Sequence, residues 1–360
     1  MNQRFEPLDW LRGLLALSIL LYHVVGWEMS ALDASTLLGK LGAYGVSMFF
    51  ILSGLSIAIA YNRFIVDGVT SWHFFVRRVF RIWPLLWVAV IVLSAARLVQ
   101  GGPFAWSLIA LNLTTLFGFV SPASYINTGA WSIGNEMVYY AMTPAFILAY
   151  NRSLVLGNVL TGAAVAVGVL FATVILDSGK PLAEQWATYV NPFNNLFLYC
   201  AGLALFYNGA GVQLSKPACA VIFFAGVAIF LLHPVAGNQI NIVTGWSRLA
   251  FSAASIAIVF AAFQYRGEGW KVLSLPLTHM GLATYGIYLL HPIVWEVTKI
   301  AFGRVGVPST PLLVIGTNLA VTLPLAWMLY QWYERPFIRW GKAIASRRSS
   351  SNLSAPGASA

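Results

Sequence analysis

The chain has 360 residues but only 21 basic and 11 acidic side chains, whereas a soluble protein of this length carries about 90 charged residues. Hydrophobic residues make up 59% of the sequence and the mean hydropathy is +0.76, which excludes disordered, collagen-like and disulfide-based proteins and indicates an integral membrane protein. The net charge of +10 comes from basic residues that are scattered between apolar segments, so nucleic acid is not expected as a partner.

About ten segments of the chain are long and apolar enough to cross a bilayer as helices. In chain order they are 10–27, 42–61, 83–99, 134–150, 154–176, 193–208, 217–233, 246–264, 281–299 and 311–331. The stretch 104–120 is also apolar, but Asn112, Thr114 and Thr115 interrupt it, which favours an interfacial or re-entrant segment over an eleventh span. The sequence therefore predicts an all-α polytopic membrane protein, a bundle of about ten transmembrane helices.

The distribution of basic residues tests this topology, because lysine and arginine accumulate in cytoplasmic segments. With Arg12 set aside inside the first predicted helix, fourteen basic residues lie in one set of alternating segments, which includes both termini, and six lie in the other set. The six are Lys40, Arg97, Lys180, Arg248, Lys299 and Arg304. The sequence therefore predicts a multi-pass protein of the inner (plasma) membrane with both termini in the cytoplasm. Residues 1–345 would form the membrane domain, and the polar segment 346–360 is predicted to be a disordered cytoplasmic tail.

The first predicted helix contains two ionisable residues, Arg12 and His23, which are costly inside a bilayer. They are 11 positions apart, so they share one helix face at depths that differ by about 16 Å. One interpretation is that Arg12 reaches lipid phosphate while His23 bonds a neighbouring carbonyl. The other is that the two residues serve one functional site.

A basic cluster precedes the third predicted span and contains Arg77, Arg78 and Arg81. Arg78 and Arg81 lie three residues apart, on one face of a predicted interfacial helix that ends where Pro84 begins the next helix. Guanidinium pairs at this spacing suit a phosphate group, but anchoring to anionic lipid explains them as well. The sequence contains no glycine-rich phosphate loop, so a nucleotide-derived ligand would have to be held by the arginines.

Two further segments contain ionisable residues at predicted span boundaries or inside spans. Trp131, Ser132 and Glu136 are predicted at the outer interface, where a lone carboxylate is often solvated or caps a helix. His291 precedes Pro292, which kinks a helix and frees backbone acceptors, and a structural histidine is the common outcome there. The two cysteines of the chain lie in apolar stretches, and no metal site is predicted.

Six of these motifs, in this order, resemble the acyltransferase-3 family of membrane acyltransferases, over about residues 10–337. They are LDWLRGLLALSILLYHV with Arg12 and His23, FFILSG at 49–54, RRVFRIWP at 77–84, WSIGNE with Tyr140 and Pro144, YGIYLLHP at 285–292 and YERPF at 333–337. The chain departs from the family in having Met137 where relatives often have a second acidic residue, which leaves Glu136 as the only carboxylate of that motif. No extra hydrolase-like domain follows, so all the chemistry is expected in the membrane unit.

The resemblance implies an O-acyltransferase that moves an acyl group, usually acetyl, from cytoplasmic acetyl-CoA to a hydroxyl of a cell-surface carbohydrate or lipid-linked glycan, without a metal. By the same resemblance His23 is the catalytic histidine, Arg12 lies on the donor path, and Arg78 and Arg81 bind the phosphates of coenzyme A. Glu136 would orient the histidine or the acceptor. Two mechanisms stay open: His23 acts as a general base, or it is itself acylated.

A transporter or flippase for a glycan, lipid or small metabolite is the alternative, because it also explains ten helices with ionisable residues inside them. The cytoplasmic arginine cluster and the absence of a visible internal repeat favour the enzyme. The acceptor stays open between polysaccharide, lipid, peptidoglycan and a secreted small molecule, and the acyl chain length and oligomeric state are not predicted.

Overall fold

The computed structural model describes residues 5–103 and 105–351, the last five of them by their backbone alone. Over these ranges the chain is helical and contains no strand. The α-helices in chain order are α1 (Glu6–Glu28), α2 (Leu37–Tyr61), α3 (Gly68–Val99), α4 (Trp106–Leu113), α5 (Phe117–Val120), α6 (Trp131–Arg152), α7 (Leu154–Leu170), α8 (Trp186–Tyr189), α9 (Pro192–Gly209), α10 (Lys216–Leu232), α11 (Ile240–Val243), α12 (Gly245–Gln264), α13 (Lys271–Leu282), α14 (Thr284–Val305), α15 (Pro311–Leu329) and α16 (Arg335–Ser351). Two π-helical segments, Phe171–Ile175 and Tyr330–Glu334, extend α7 and join α15 to α16.

Each of the ten predicted spans coincides with one of these helices, and the prediction of an all-α polytopic membrane protein is confirmed. Within the described residues, six helical segments have the length and hydropathy needed to cross a bilayer. They are α1, α2, α3, α7 with its π-helical extension, α12, and the continuous helix Pro311–Ser346. The remaining predicted spans correspond to α6, α9, α10 and α14, and the count of ten spans stays a prediction.

The apolar stretch 104–120 forms two short helices, α4 and α5. At 1.5 Å per residue, α4 is about 12 Å long, far less than the hydrocarbon thickness of a bilayer. The break between the helices lies at Thr115, which adopts a left-handed backbone conformation with φ of 58° and accepts a hydrogen bond from the indole of Trp83 at 3.2 Å. Neither helix is long enough to be an eleventh span.

Helix α3 corrects one prediction, because the interfacial helix and the third span form a single helix of 32 residues with Pro84 in its interior. Asp67 caps its start, accepting from the backbone N–H of Thr70 at 2.8 Å. The hydroxyl of Tyr285 donates to the carbonyl of Ile82 at 2.7 Å, and that of Tyr333 to the carbonyl of Pro84 at 3.3 Å. These two bonds tie α3, on either side of Pro84, to α14 and to the π-helical segment after α15.

Two close helix contacts position the elements that carry the candidate residues. A Cβ atom on Gly281 of α13 would lie 2.0 Å from the carbonyl oxygen of Asp9 on α1, and one on Gly54 of α2 would lie 2.0 Å from the carbonyl oxygen of Tyr199 on α9. Only glycine allows backbones to approach this closely, as is common between helices in membranes. These contacts determine where Arg12 and the polar face of α2 lie.

The carboxyl-terminal helix α16 packs against α3, with Gly341 beside the ring of Phe80. The predicted disordered tail starts at residue 346, inside this helix, which continues to Ser351. Residues 352–360 of that predicted tail lie outside the described residues.

Candidate active site

A cavity of about 420 Å³ lies between α1, α2, α3, α6, α13 and α14, and side chains of α16 close one side. Four of the five site residues predicted from sequence line it: Arg12, Arg78, Arg81 and Glu136. They come from three helices and are up to 124 positions apart in the sequence. The tertiary structure therefore brings the predicted donor-binding arginines and the predicted carboxylate into one space.

Arg12 is oriented by two polar side chains. Its Nη1 donates to the carboxylate of Asp9 at 2.9 Å, and its Nη2 donates to the hydroxyl of Ser56. Asp9 is one helical turn before Arg12 on α1, and Ser56 is on the facing side of α2. An arginine held in this way does not need lipid phosphate as its partner, which disfavours the lipid interpretation of Arg12.

Arg78 and Arg81 are held differently from each other. The Nη2 of Arg78 donates to the hydroxyl of Tyr61 at 2.8 Å, and its guanidinium lies 5.2 Å from the centre of the Tyr61 ring and 5.9 Å from that of Tyr140. Arg81 forms no hydrogen bond or ion pair with any residue that the structure describes. Its guanidinium donors are therefore available to an anionic ligand in the cavity.

The charges that line the cavity are predominantly positive, because Lys342 of α16 joins the three arginines, and only Asp9 and Glu136 oppose them. A cleft lined by one sign of charge concentrates ligands of the opposite sign. Arginine in addition recognises phosphate through paired N–H donors. The arginine-rich end of the cavity can therefore bind a phosphorylated ligand.

Glu136 lines the cavity, and its hydrogen bonds disfavour the interpretation of a solvated or helix-capping carboxylate. It accepts hydrogen bonds from the hydroxyl of Ser53 and, at 2.5 Å, from that of Tyr140. Trp131 and Ser132, at the start of α6, are buried. Helix α5 packs against α6, with Gly118 beside Gly134, a contact that the local sequence does not reveal.

His23 does not line the cavity and instead pairs with His291. The Nδ1 atom of His23 lies 2.9 Å from the Nε2 atom of His291, and the two ring planes are within 10° of each other with their centres 5.1 Å apart. Trp27 packs against the His23 ring with the ring centres 5.3 Å apart. His291 is fully buried, and its Nδ1 lies 3.0 Å from the carbonyl oxygen of Ile287. The pairing explains why two histidines are tolerated in apolar helices.

Tyr288 connects the cavity with the histidine pair. It lines the cavity, lies one helical turn before His291 on α14, and its ring centre is 6.2 Å from that of His291. Its hydroxyl lies 3.0 Å from the Oγ of Ser132 and 2.8 Å from the carbonyl oxygen of Gly129. The arrangement therefore runs from the arginines, past Glu136 and Tyr288, to the two histidines.

Sequence reasoning missed most of the polar partners at this site. Ser53, Ser56, Tyr61 and Tyr288 each contact a candidate residue or line the cavity. Ser53 and Tyr288 lie within the quoted motifs FFILSG and YGIYLLHP, so motif membership was a signal that could have found them. Ser56 and Tyr61 lie outside those motifs. Within the described residues, no three histidine, cysteine, aspartate or glutamate side chains are grouped as a metal site would require.

The family model described as "Acyltransferase domain", of the acyltransferase-3 type, matches residues 6–331. This range contains every residue of the candidate site except Ile338 and Lys342 of α16. No solved structure matches the chain.

Several characterised proteins are similar to the chain over most of its length. The peptidoglycan O-acetyltransferase OatA of Listeria monocytogenes is 23% identical over 83% of this chain and 51% of its own length. The exopolysaccharide production protein ExoZ of Rhizobium meliloti is 26% identical over 84% of this chain and 92% of its own. The acyltransferase MdmB of Streptomyces mycarofaciens is 24% identical over 80% and 78%, respectively.

The chain thus spans about half the length of the Listeria relative and nearly all of the Rhizobium one. The family match covers more than nine-tenths of the chain and includes the Arg12 and His23 motif, the arginine cluster and Glu136. The resemblance seen in the sequence motifs is confirmed, and this multi-pass membrane protein belongs to the acyltransferase-3 family.

Proposed function

We propose that the chain is a membrane O-acyltransferase that moves an acyl group, acetyl in the first instance, from cytoplasmic acetyl-CoA to a hydroxyl of a cell-surface carbohydrate or lipid-linked glycan. The observation that carries this proposal is the convergence of Arg12, Arg78 and Arg81 on one cavity of about 420 Å³. His291 of the histidine pair lies one helical turn beyond the cavity-lining Tyr288 on α14. This order, from cationic groups to imidazole, suits a donor with phosphates at one end and a thioester at the other.

The arginine end of the cavity would bind the phosphates of coenzyme A. Arg81 has unused donors, and Arg78 is pre-oriented by Tyr61, so the two offer several charge-assisted hydrogen bonds to phosphate oxygens. The bias of fourteen to six basic residues supports a cytoplasmic position for α3's basic cluster, where acetyl-CoA is available. The pantetheine arm would then extend along the cavity towards Tyr288.

His23 would act on the acceptor hydroxyl. As a general base it takes the hydroxyl proton while the hydroxyl oxygen bonds to the thioester carbonyl carbon. The carbon–sulfur bond then breaks, and the proton passes from His23 to the departing sulfur, which leaves as coenzyme A thiol. Glu136 bonds Ser53 and Tyr140 and makes no hydrogen bond to His23 within the described residues, which favours a role in positioning bound substrate.

The names of the relatives support a carbohydrate acceptor, because one acts on peptidoglycan and another serves exopolysaccharide production. The proposal is tested with the full chain in lipid nanodiscs, supplied with acetyl-CoA labelled in the acetyl group and with soluble peptidoglycan fragments, chito-oligosaccharides or a bacterial exopolysaccharide. We expect label on carbohydrate hydroxyls, released by mild alkali as esters are. Absence of labelled ester from every acceptor, together with movement of an unmodified labelled glycan across vesicles that contain the protein, would favour the transporter.

A further inference from the structure

The histidine pair forms the middle of a hydrogen-bonded chain that ends at a backbone carbonyl. The carbonyl oxygen of Ile287 lies 3.0 Å from Nδ1 of His291, and Nε2 of His291 lies 2.9 Å from Nδ1 of His23. Both distances are those of good hydrogen bonds. The positions of the protons in this series of hydrogen bonds follow from the carbonyl group of Ile287 at its end.

A carbonyl oxygen only accepts hydrogen bonds, so the proton between Ile287 and His291 belongs to Nδ1 of His291. A neutral imidazole carries one proton, which leaves Nε2 of His291 as an acceptor. Nδ1 of His23 must then carry the proton that is donated to it. It follows that, with both rings neutral, Nε2 of His23 has no proton and presents its lone pair.

We propose that His291 is a positioning residue that selects the tautomer of His23, and that Nε2 of His23 is the nitrogen that takes the proton from the acceptor hydroxyl. The second half of this inference rests on the proposed function, whereas the tautomer assignment stands on the hydrogen bonds alone. The arrangement serves the same purpose as a carboxylate that orients a catalytic histidine, because the wrong tautomer has no lone pair facing the substrate.

The surroundings of the pair support this assignment. His291 is fully buried, and its carbonyl oxygen accepts from the side-chain amide of Asn318 at 2.9 Å. Asn127 donates to the carbonyl of Leu289 at 2.9 Å, so the kinked turn that precedes Pro292 is held from two sides. Complete burial and the hydrogen bonds of both ring nitrogens leave the His291 ring little freedom to turn over and exchange its two nitrogens.

The other ring is held as well but stays accessible. The His23 ring is parallel to that of Trp27 within 11° and to that of His291 within 10°. His23 is partly exposed, and its Nε2 makes no hydrogen bond to any side chain or backbone group described in the structure. The ring is thus oriented by one nitrogen and packed against Trp27, while the other nitrogen is left for a ligand.

The reaction balances with this assignment. The acceptor O–H bond breaks and its proton forms an N–H bond at Nε2 of His23, while the acceptor oxygen bonds to the thioester carbonyl carbon. His23 is then doubly protonated, and Nε2 of His291 stabilises it by accepting from Nδ1 throughout. Collapse of the tetrahedral intermediate breaks the carbon–sulfur bond, and the proton on Nε2 moves to the sulfur.

The first experiment reads the tautomer directly. The full chain, with its five histidines labelled with ¹⁵N, is studied in lipid bilayers by solid-state NMR at a pH where both rings are neutral. The His23 signals are assigned by their loss in His23→Gln. We expect a protonated Nδ1 and an unprotonated Nε2, and a mixture of tautomers in His291→Leu. A proton on Nε2 of His23 in the wild-type protein would overturn the inference.

The second experiment separates positioning from a structural role. His291→Leu removes the acceptor, whereas His291→Gln keeps an amide oxygen that can accept from His23. We expect kcat for acetyl transfer to fall on the order of 10²-fold in the leucine variant and to recover at least tenfold in the glutamine variant, with KM for acetyl-CoA unchanged in both. His233→Gln, in which the lost histidine contacts Ser247 and Phe251 and neither ring of the pair, is the control and should keep the wild-type kcat.

The outcomes against the inference are a leucine variant with wild-type kcat, or a glutamine variant as inactive as the leucine variant while both are correctly inserted. If the leucine variant does not insert, the tautomer signals and the kcat of the glutamine variant decide. A wild-type protein that transfers no acetyl group would count against the proposed function alone, since the NMR measurement needs no acceptor.

Discussion

Arg78 and Arg81 lie on the same helix face, but within the described residues only Arg78 has a hydrogen-bond partner, the hydroxyl of Tyr61. We predict that Arg81→Ala and Arg78→Ala each weaken acetyl-CoA binding about 10- to 150-fold, because a charge-assisted contact contributes about 1.5–3 kcal/mol. Arg77→Ala is the matched control, because Arg77 belongs to the same cluster but lies over the ring of Phe64 outside the cavity. Titration of the inserted variants with acetyl-CoA measures the effect.

An Arg81→Ala protein with wild-type affinity for acetyl-CoA would instead favour the interpretation that the cluster binds anionic lipid. The two variants should also differ from each other in stability. Arg78→Ala leaves the hydroxyl of Tyr61 without its donor, whereas Arg81→Ala removes no hydrogen bond or ion pair between described residues. We therefore expect a lower unfolding temperature for Arg78→Ala only, measured by thermal denaturation in detergent.

His23 lies outside the arginine-lined cavity, so its loss should separate chemistry from donor binding. We predict that His23→Ala binds acetyl-CoA like the wild type but loses 10²- to 10⁴-fold in single-turnover transfer, the usual contribution of a general base. His73→Ala removes a buried histidine that contacts neither the cavity nor the pair, and it should stay active. Substantial transfer by His23→Ala would refute the role of this residue, and acetyl label retained on wild-type protein but not on His23→Ala would indicate the covalent mechanism.

At the scale of the helices, hydropathy predicted which segments are helical, whereas proline predicted a helix boundary that the structure does not have. All ten predicted spans are helices, because a chain in lipid must satisfy its backbone hydrogen bonds internally. Pro84 is predicted to begin a helix but lies inside α3. Proline occurs both at helix starts and inside membrane helices, so the local sequence does not distinguish the two positions.

Helix packing gives a prediction at the same scale. Gly54→Ala would place a methyl group 2.0 Å from the carbonyl oxygen of Tyr199, so α2 and α9 must move apart. We expect a loss of about 1–3 kcal/mol in stability, the usual cost of overpacking, and reduced transfer, because Ser53 and Ser56 on α2 orient Glu136 and Arg12. Gly303→Ala on α14, where a Cβ meets no neighbour within 4 Å, is the control.

Thermal unfolding in detergent and transfer assays on both glycine variants measure these effects. The control substitution should leave stability unchanged or raise it slightly, because alanine favours helix over glycine. Equal unfolding temperatures for the Gly54→Ala and wild-type proteins would show that the α2–α9 contact is not as tight as the structure has it.

At the scale of the whole molecule, the charge bias predicts the orientation in the membrane. Both termini should be cytoplasmic, because fourteen basic residues lie on their side and six on the other. Reporter fusions after Ser346 and within residues 301–310 should report opposite sides of the membrane. A common side for the two fusions would contradict the ten-span topology, and with it the cytoplasmic position of the arginine end.

Composition and motif order were sufficient to establish a helical membrane protein of the acyltransferase-3 family and to predict His23, Glu136, Arg12, Arg78 and Arg81 as site residues. This was possible because lipid imposes long apolar helices, and because an ionisable residue inside one is costly unless it has a role. Tertiary structure alone decided that the arginines and Glu136 share a cavity, since they come from three helices whose packing depends on contacts distant in sequence. It also decided that His23 faces His291, a partner 268 positions away, through which its tautomer is set.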